Sequence, residues 1–137
     1  MKRMNKNTFG PWALVTGASS GIGKEFARQL AASGLNLVLV ARRLSLLEEV
    51  GRTLANEYDI NYRTLALDLS EENFLERLET VTSDLDIGLV VSNAGTATPG
   101  TFLSHDREHL HQTVRLSVLA HLDLAHHRNS PPDAPVF

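Results

Sequence analysis

An α/β fold is predicted for this sequence: a doubly wound parallel sheet of about four strands in the order 3-2-1-4. Short runs such as Leu35–Ala41 are apolar at almost every position, which is typical of parallel strands covered by helices on both faces. These runs alternate with segments whose apolar residues recur at helical spacing. Such alternation predicts right-handed crossovers between parallel strands. A glycine-rich turn that joins the first strand to the first helix fits the same class.

The first half of the chain is divided by apolar runs and glycines. Trp12–Val15 is predicted as a short strand, and a helical pattern follows from Lys24 to Ser33 with Gly34 as its stop. The apolar residues of this first helix are Ile22, Phe26 and Leu30. Leu35–Ala41 is the second strand, and the apolar positions of the second helix are Leu44, Leu47, Val50 and Leu54.

The second half continues the alternation. Arg63–Leu67 is the third strand, and Ser70 is predicted to cap the helix that carries Phe74, Leu75, Leu78 and Val81. Ile87–Val91 is the fourth strand. A long last helix is predicted to begin near Asp106, with one apolar stripe at Leu110, Val114, Val118 and Leu122. Leu116, Leu119 and Ala120 face another way, so we expect one set to pack on the sheet and the other to be exposed.

Composition excludes several classes of function. A net charge of −3 gives no electrostatic footprint for nucleic acid, and the absence of cysteine excludes disulfides and thiolate chemistry. Residues 1–10 are interpreted as a polar, basic and solvated tail, and 11–127 as one nucleotide-binding domain. The absence of cysteine fits a reducing compartment, so we expect a cytoplasmic protein. The apolar run after residue 10 is too short for a membrane span, so no membrane partner is expected.

The turn Thr16–Gly23 predicts a phosphate site. Gly17 allows a sharp turn off the strand, Gly21 allows a pyrophosphate to approach the backbone, and Gly23 allows the helix to pack close to the strand. The N–H groups and positive dipole end of the helix then face the anion, together with Ser19, Ser20 and Ile22. An ATP-type loop does not fit, because Ala18 and Glu25 occupy positions where that motif requires Gly and Ser or Thr.

Two arginines at the end of the second strand indicate which dinucleotide is bound. Enzymes that prefer NAD usually carry an acid here to hold the ribose 2′-OH, whereas arginine accommodates a 2′-phosphate. Ala41 stands at the acid position, so Arg42, with Arg43 beside it, favours NADP(H). The alternative is that both arginines are solvated charges at the start of a helix.

Three dispersed motifs resemble the short-chain dehydrogenase/reductase family, whose fold is of the Rossmann type. They are the Thr-Gly-x-x-x-Gly-x-Gly turn, Asp68 followed by Leu69 after the third strand, and Asn93-Ala94-Gly95 after the fourth. The resemblance implies that Asp68 binds the adenine amino group and that Asn93 to Gly95 stabilise the sheet and line the cofactor. Asp68 is alternatively a turn residue, and a structural role for Asn93 is as well supported as ligand contact.

The resemblance covers about Trp12 to His127, the cofactor half of the family fold. The family's acid/base is a Tyr with a Lys four residues later, but this sequence has only Tyr58 and Tyr62, followed at that spacing by Tyr62 and Ala66. Ser117 stands where the family's helix Asn is expected. No catalytic residue is therefore assigned, and the chain is interpreted as a truncated or frame-shifted oxidoreductase. A non-catalytic nucleotide-binding or dimerisation module, or a non-functional remnant, remains the alternative.

A histidine motif and a proline-rich segment both have simple structural interpretations. His105–His109 matches an inverted zinc-protease motif, but it is interpreted as the polar start of an exposed helix, so no metal site is predicted. Residues 128–137 are rich in proline and are interpreted as an irregular tail rather than a strand. Strand Ile87–Val91 would then be an open apolar edge, and with the last helix it predicts a homodimer or aggregation.

Overall fold

A computed structural model describes residues 3–127 and 136–137, and within them four parallel strands form one sheet in the order β3-β2-β1-β4. The predicted fold class and strand order are confirmed. The ends of the strands differ from the predicted ones by at most one residue. The strands are β1 (Trp12–Thr16), β2 (Asn36–Ala41), β3 (Tyr62–Ala66) and β4 (Ile87–Val91).

The helices follow the predicted alternation, and one region adds an irregular segment. Residues Arg107–His126, called the C-terminal helix below, include a π-helical stretch at Arg115–Leu119 between two α-helical parts. Such widened turns are rare and concentrate at functional sites. The α-helices are α1 (Lys6–Phe9), α2 (Gly21–Ala32), α3 (Leu44–Tyr58), α4 (Phe74–Thr82), α5 (Arg107–Val114) and α6 (Ala120–His126), and a 3-10 turn spans Phe102–Ser104.

The sheet separates two apolar cores. On one face α2 and α3 pack with residues such as Leu30, Leu47 and Leu54 against Leu37 and Leu39. On the other face α4 and α6 supply Phe74, Leu78 and Leu124, which pack with Leu14 and Val38. Because both faces are covered, β2 is buried at nearly every position, and this explains its unbroken apolar run.

The buried face of α2 differs from the predicted one. Ile22 is 70% exposed and Phe26 is 40% exposed, whereas Ala27, Leu30 and Ala31 are buried. The rotation of α2 is set at its first turn, where a Cβ on Gly23 would overlap the carbonyl oxygen of Gly17. Close backbone packing at this glycine therefore turns Ile22 and Phe26 away from the sheet, against their apolar character.

Neither predicted apolar set of the C-terminal helix packs on the sheet as a whole, because Leu119 of the second set is 46% exposed. Ala120 and Leu124 are buried there, and Leu116 is partly buried beside them. Val114, Val118 and Leu122, called the exposed stripe below, are each at least half exposed. Three of the four residues in the predicted stripe with regular four-residue spacing thus face away from the core, and the fourth, Leu110, is partly buried.

Ser70 does not cap a helix, contrary to the prediction. Helix α4 begins at Phe74 after Asn73, so Ser70 lies before it in a turn. Its backbone N–H and its hydroxyl both donate to Asp68 Oδ1, at 2.9 and 2.7 Å. The Asp68 carboxylate competes successfully for the donors of Ser70, as short polar side chains commonly do in turns.

The N-terminal segment is more than a solvated tail. Lys6–Phe9 forms one helical turn, and Met4 and Phe9 pack against the core formed with α2 and α3. The register between β1 and β4 shifts beside Gly88, and a Cβ on Gly88 would lie 2.7 Å from the carbonyl oxygen of Phe9. A glycine in β4 therefore admits the backbone of this segment.

The outer side of β4 is partly covered. Of the proline-rich segment predicted as irregular, 128–135 lie outside the described residues, but Val136 forms an isolated parallel bridge with Val90. The Phe137 N–H donates to the Val90 carbonyl oxygen at 2.8 Å, and the Ser92 N–H donates to the Phe137 carbonyl oxygen at 2.6 Å. The expectation of a fully open edge at Ile87–Val91 is therefore wrong at its carboxyl end.

Candidate active site

A cavity of about 490 Å³ lies at the carboxyl ends of the strands, on either side of the point where strand order reverses between β1 and β4. This is the place where open α/β sheets bind ligands. Its lining combines the glycine turn, the ends of β2, β3 and β4, and one side of the C-terminal helix. The residues are Gly17, Ser19, Ser20, Val40, Ala41, Arg42, Arg43, Leu67, Asp68, Leu69, Ser70, Asn93, Ala94, Gly95, Thr96, His109, Gln112, Thr113 and Leu116.

The glycine turn presents backbone to this cavity. Gly17 and Gly21 have positive φ angles of 66° and 56°, which L side chains rarely adopt. No atom lies within 4 Å of the position of a Cβ on Gly21, so the space in front of it is open. Ser20 makes no side-chain hydrogen bond to the first turn of α2. An anion can therefore approach the N–H groups that begin this helix.

The predicted residues of the turn divide into two groups. Gly17, Ser19 and Ser20 line the cavity. Gly21 and Ile22 are exposed outside that lining, and Gly23 is buried between the turn and the sheet. The contact that Gly23 permits is the predicted close approach of helix to strand, since its Cβ would lie 2.6 Å from Asn93 Nδ2 as well as overlapping Gly17.

Thr16 connects the turn to the loop after β4, a role that the sequence did not reveal. Its fully buried hydroxyl donates to the Val91 carbonyl oxygen at 3.4 Å. It accepts from the N–H groups of Asn93 and Ala94 at 2.9 and 3.1 Å. A single polar residue at the end of an otherwise apolar strand was the available signal, because a buried hydroxyl requires partners.

Asn93 lies under the glycine turn. Its side-chain amide Nδ2 is 3.5 Å from the Gly17 carbonyl oxygen and occupies the space beside Gly17 and Gly23 that Cβ atoms would need. Ala94 and Gly95 follow at the rim of the cavity. The Asn-Ala-Gly segment thus bridges β1 and β4, and it also contributes to the cavity wall.

Opposite charges meet at the ends of β2 and β3. Arg42 and Arg43 follow β2 and are exposed at the cavity, and Asp68 stands across from them after β3. The hydrogen bond from the Ser70 hydroxyl holds the pKa of the Asp68 carboxyl below its usual value, assisted by the Ser70 N–H and the charge of Arg42. Leu69 is buried behind Asp68 and forms part of the wall.

The tyrosines of the described region lie away from this cavity. The Tyr62 ring packs over Gly51, and its hydroxyl donates to Glu48 Oε2 at 3.3 Å. Burial, with the negative charge of Glu48, raises the pKa of the Tyr62 phenol, which opposes the ionisation that a catalytic phenol needs. Ser117 lies in the π-helical stretch, is exposed, and is not part of the cavity lining.

The C-terminal helix forms a wall of the cavity that the sequence did not predict. His109, Gln112, Thr113 and Leu116 recur at helical spacing and face the glycine turn and the Asn93 loop. Asp106 fixes the start of this wall, since its carboxylate accepts from the His109 N–H at 2.8 Å. The rings of His105 and His109 stack with their centroids 5.2 Å apart.

Across residues 3–127 and 136–137, no helix combines the length and the hydropathy needed to cross a bilayer.

Comparison with protein families gives one extended match. A family model described as short chain dehydrogenase matches residues 11–128. The sequence is 42% identical over 118 residues to a very-long-chain 3-oxoacyl-CoA reductase of Neurospora crassa. That alignment covers 82% of this chain but only 36% of the relative, so the chain spans about a third of that protein.

Solved structures share the same architecture. A short-chain dehydrogenase from Sphingobium yanoikuyae in complex with NADPH superposes with a TM-score of 0.79 at 35% identity. An L-sorbose reductase from Gluconobacter frateurii, complexed with NADPH and L-sorbose, gives a TM-score of 0.81 at 31% identity. These matches cover 85% and 90% of this chain and 46% and 47% of the two neighbours, respectively.

Proposed function

The chain belongs to the short-chain dehydrogenase family, and we propose that it is the NADP(H)-binding part of an oxidoreductase. The observation that carries the proposal is the end of β2, where Ala41 replaces an acid and Arg42 is exposed at the cavity. Two of the solved neighbours are complexes with NADPH, which supports the same cofactor here.

Each part of the cavity has a role suited to this dinucleotide. The N–H groups at the start of α2, with Ser19 and Ser20, hold the pyrophosphate, and the open space before Gly21 fits its close approach. Arg42 pairs with the 2′-phosphate, with Arg43 in support. Asp68 accepts from the adenine amino group, and the segment Asn93–Gly95 lies on the nicotinamide side.

The reaction class follows from the family. The nicotinamide supplies hydride exchange with a carbonyl or an alcohol. The relatives named as very-long-chain 3-oxoacyl-CoA reductases make a 3-oxoacyl thioester the substrate class we propose for the complete enzyme. Neither tyrosine of this chain is followed by a Lys four residues later, so we expect the 137 residues alone to bind the cofactor without turnover.

Calorimetric titration tests the cofactor assignment. We expect the chain to bind NADPH at least about tenfold more tightly than NADH, because a charge-assisted contact contributes about 1.5–3 kcal/mol. Arg42→Ala should remove most of this preference. Arg52→Ala, at an exposed arginine on α3, changes net charge equally and should preserve it. Equal affinities in the wild type, or an unchanged preference in Arg42→Ala, would contradict the assignment.

A second candidate, a dimerisation module, rests on the exposed stripe. Val114, Val118 and Leu122 form a contiguous apolar row on the C-terminal helix, and such rows mark interfaces or aggregation sites. We infer that the chain forms a homodimer through this row. We also propose that the protein is located in the cytoplasm. Light scattering after size exclusion should show a dimer for the wild type and a monomer for Val118→Asp. A monomeric wild type would refute the interface.

A further inference from the structure

The loop after β3 holds Asp68 between two buried leucines. Leu67 and Leu69 are 2% and 5% exposed, and both belong to the core that α4 covers. Asp68 itself is half-buried and lines the cavity. The Glu71 N–H donates to the Asp68 carbonyl oxygen at 3.1 Å and closes a turn directly after the carboxylate. The place of Asp68 at the cavity is therefore fixed by its neighbours on both sides.

The two oxygens of the Asp68 carboxylate have different surroundings. Oδ1 accepts from both the N–H and the hydroxyl of Ser70, at 2.9 and 2.7 Å. Oδ2 accepts no hydrogen bond from the residues that the structure describes, and Arg42 acts on the carboxylate through its charge. The terminal torsion of an aspartate is broad by itself, so two donors on one oxygen restrict its rotation. Oδ2 is left as the acceptor for a ligand, in one orientation.

The charge of this carboxylate determines which ligand group it can bind. The hydroxyl of Ser70 lowers the pKa of Asp68, so at neutral pH the carboxylate carries no proton and can only accept. A 6-aminopurine offers an N–H donor to such an oxygen, whereas a 6-oxopurine offers lone pairs at the same position. A site built to bind an amino group rejects an analogue without it, because its own polar group is left unpaired.

We propose that Ser70 is a positioning residue that orients Asp68 toward a 6-amino group, so that the cavity selects adenine over 6-oxopurine dinucleotides. This inference rests on the proposed binding of NADP(H). Asp68 touches the base, and Ser70 acts through Asp68. A 6-oxopurine carries its nearest donor one ring position away, at the purine nitrogen N1. A carboxylate whose rotation is restricted does not turn to reach it.

Two reduced dinucleotides that differ only in the base test the proposal. NADPH and its hypoxanthine analogue are titrated calorimetrically into the full-length chain at neutral pH. The wild type should bind NADPH at least about tenfold more tightly, because the contact is a charge-assisted hydrogen bond. Ser70→Ala should reduce this ratio to about threefold, since one of the two donors to Oδ1 is lost.

Two further serine variants serve as controls. Ser70→Thr keeps the hydroxyl and should restore the wild-type ratio. Ser83→Ala removes the hydroxyl of an exposed serine outside the cavity lining, and it should leave the ratio unchanged. A merely structural role of Ser70 would weaken the binding of both dinucleotides equally and would not change their ratio.

Asp68→Asn tests the orientation directly. Because the donors of Ser70 require an acceptor, the amide oxygen should take the place of Oδ1 and the amide nitrogen that of Oδ2. That nitrogen donates to a 6-oxo group, so the preference should invert by about threefold in favour of the hypoxanthine analogue. If Ser70→Ala does not fold, this inversion decides the question.

The failure of this inference is distinct from the failure of the proposed function. Equal affinities of the wild type for the two dinucleotides, with NADPH still preferred over NADH, would overturn the inference alone. So would an unchanged ratio in Ser70→Ala or in Asp68→Asn. A chain that binds neither dinucleotide would refute the proposed function and the inference with it.

Discussion

The glycine turn and the C-terminal helix face each other across the same cavity, yet different forces determine their structures. In the turn, backbone approaches backbone so closely that Gly23 has no room for a Cβ, and Thr16 and Asn93 bond directly to main-chain groups. The C-terminal helix is held by side chains along one row, while another apolar row is exposed. Backbone contact restricts a position to one residue type, whereas side-chain packing allows several rotations of the same helix.

The largest expected effect tests the backbone contact in the turn. Gly23→Ala places a Cβ against Gly17 and Asn93, and we expect a loss of about 4 kcal/mol in unfolding free energy, or failure to fold. Gly21→Ala meets open space and carries only the strain of positive φ, about 1 kcal/mol. Urea denaturation of both variants makes the comparison. Equal losses would show that steric overlap does not control this turn.

A larger substitution at Gly21 separates the packing of the helix from the binding of the cofactor. Because no atom lies within 4 Å of the Cβ position at Gly21, Gly21→Val should keep the helical circular dichroism of the chain. The variant should lose NADPH binding, because the valine side chain occupies the space through which the pyrophosphate approaches the backbone. A variant that binds NADPH with wild-type affinity would disprove that approach.

Two leucines test the rotation of the C-terminal helix. Leu124 is 4% exposed and Leu122 is 59% exposed, although they are two residues apart. Leu124→Ala should lower the unfolding free energy by about 3 kcal/mol through the cavity that it leaves. Leu122→Ala should change it by less than about 0.5 kcal/mol in the monomer. The reverse order would place the exposed stripe against the sheet.

A smaller effect is expected where the turn is joined to β4 by one hydroxyl. Thr16→Val leaves the Asn93 and Ala94 N–H groups without their acceptor, and about 2 kcal/mol should be lost. Thr82→Val is the matched change, since that hydroxyl is equally buried but bonds only to Leu78 within its own helix. Comparable losses, measured by thermal unfolding, would mean that Thr16 contributes through packing alone.

The smallest expected effect concerns the unfolding free energy at acidic pH. Hydrogen bonds from Ser70 and the charge of Arg42 lower the pKa of Asp68 in the folded chain, so the ionised carboxylate stabilises the fold above its unfolded pKa of about 4. This stability is lost as the pH falls through the lower, folded value. Solvent screening limits the effect to about 0.5 kcal/mol. Asp68→Asn and Ser70→Ala should both reduce the decline in unfolding free energy, measured by urea denaturation, between pH 5 and pH 3. An unaltered pH dependence would show that ionisation of Asp68 is not coupled to folding.

Local pattern was sufficient for the sheet and the turn. The apolar run at β2 required two covered faces, and together with the alternating helices it predicted a doubly wound parallel sheet. Gly17, Gly21 and Gly23 carried their own conformational demands. The positions of Arg42, Asp68 and Asn93 at strand ends brought them to one cavity, because parallel strands end on one side of a sheet.

The tertiary structure decided what periodicity leaves free. Ile22 and Phe26 had the spacing of a buried stripe but lie outside because Gly23 sets the rotation of α2. Thr16 gained its role only when the loop after β4 reached it, and His109 joined the cavity only when its helix crossed the sheet. Val136 and Phe137 pair with β4 through main-chain groups that every residue except proline offers equally as donors and acceptors. Local sequence specifies conformation and burial tendency, but contacts between distant segments depend on how whole elements pack, and one residue's type does not encode that.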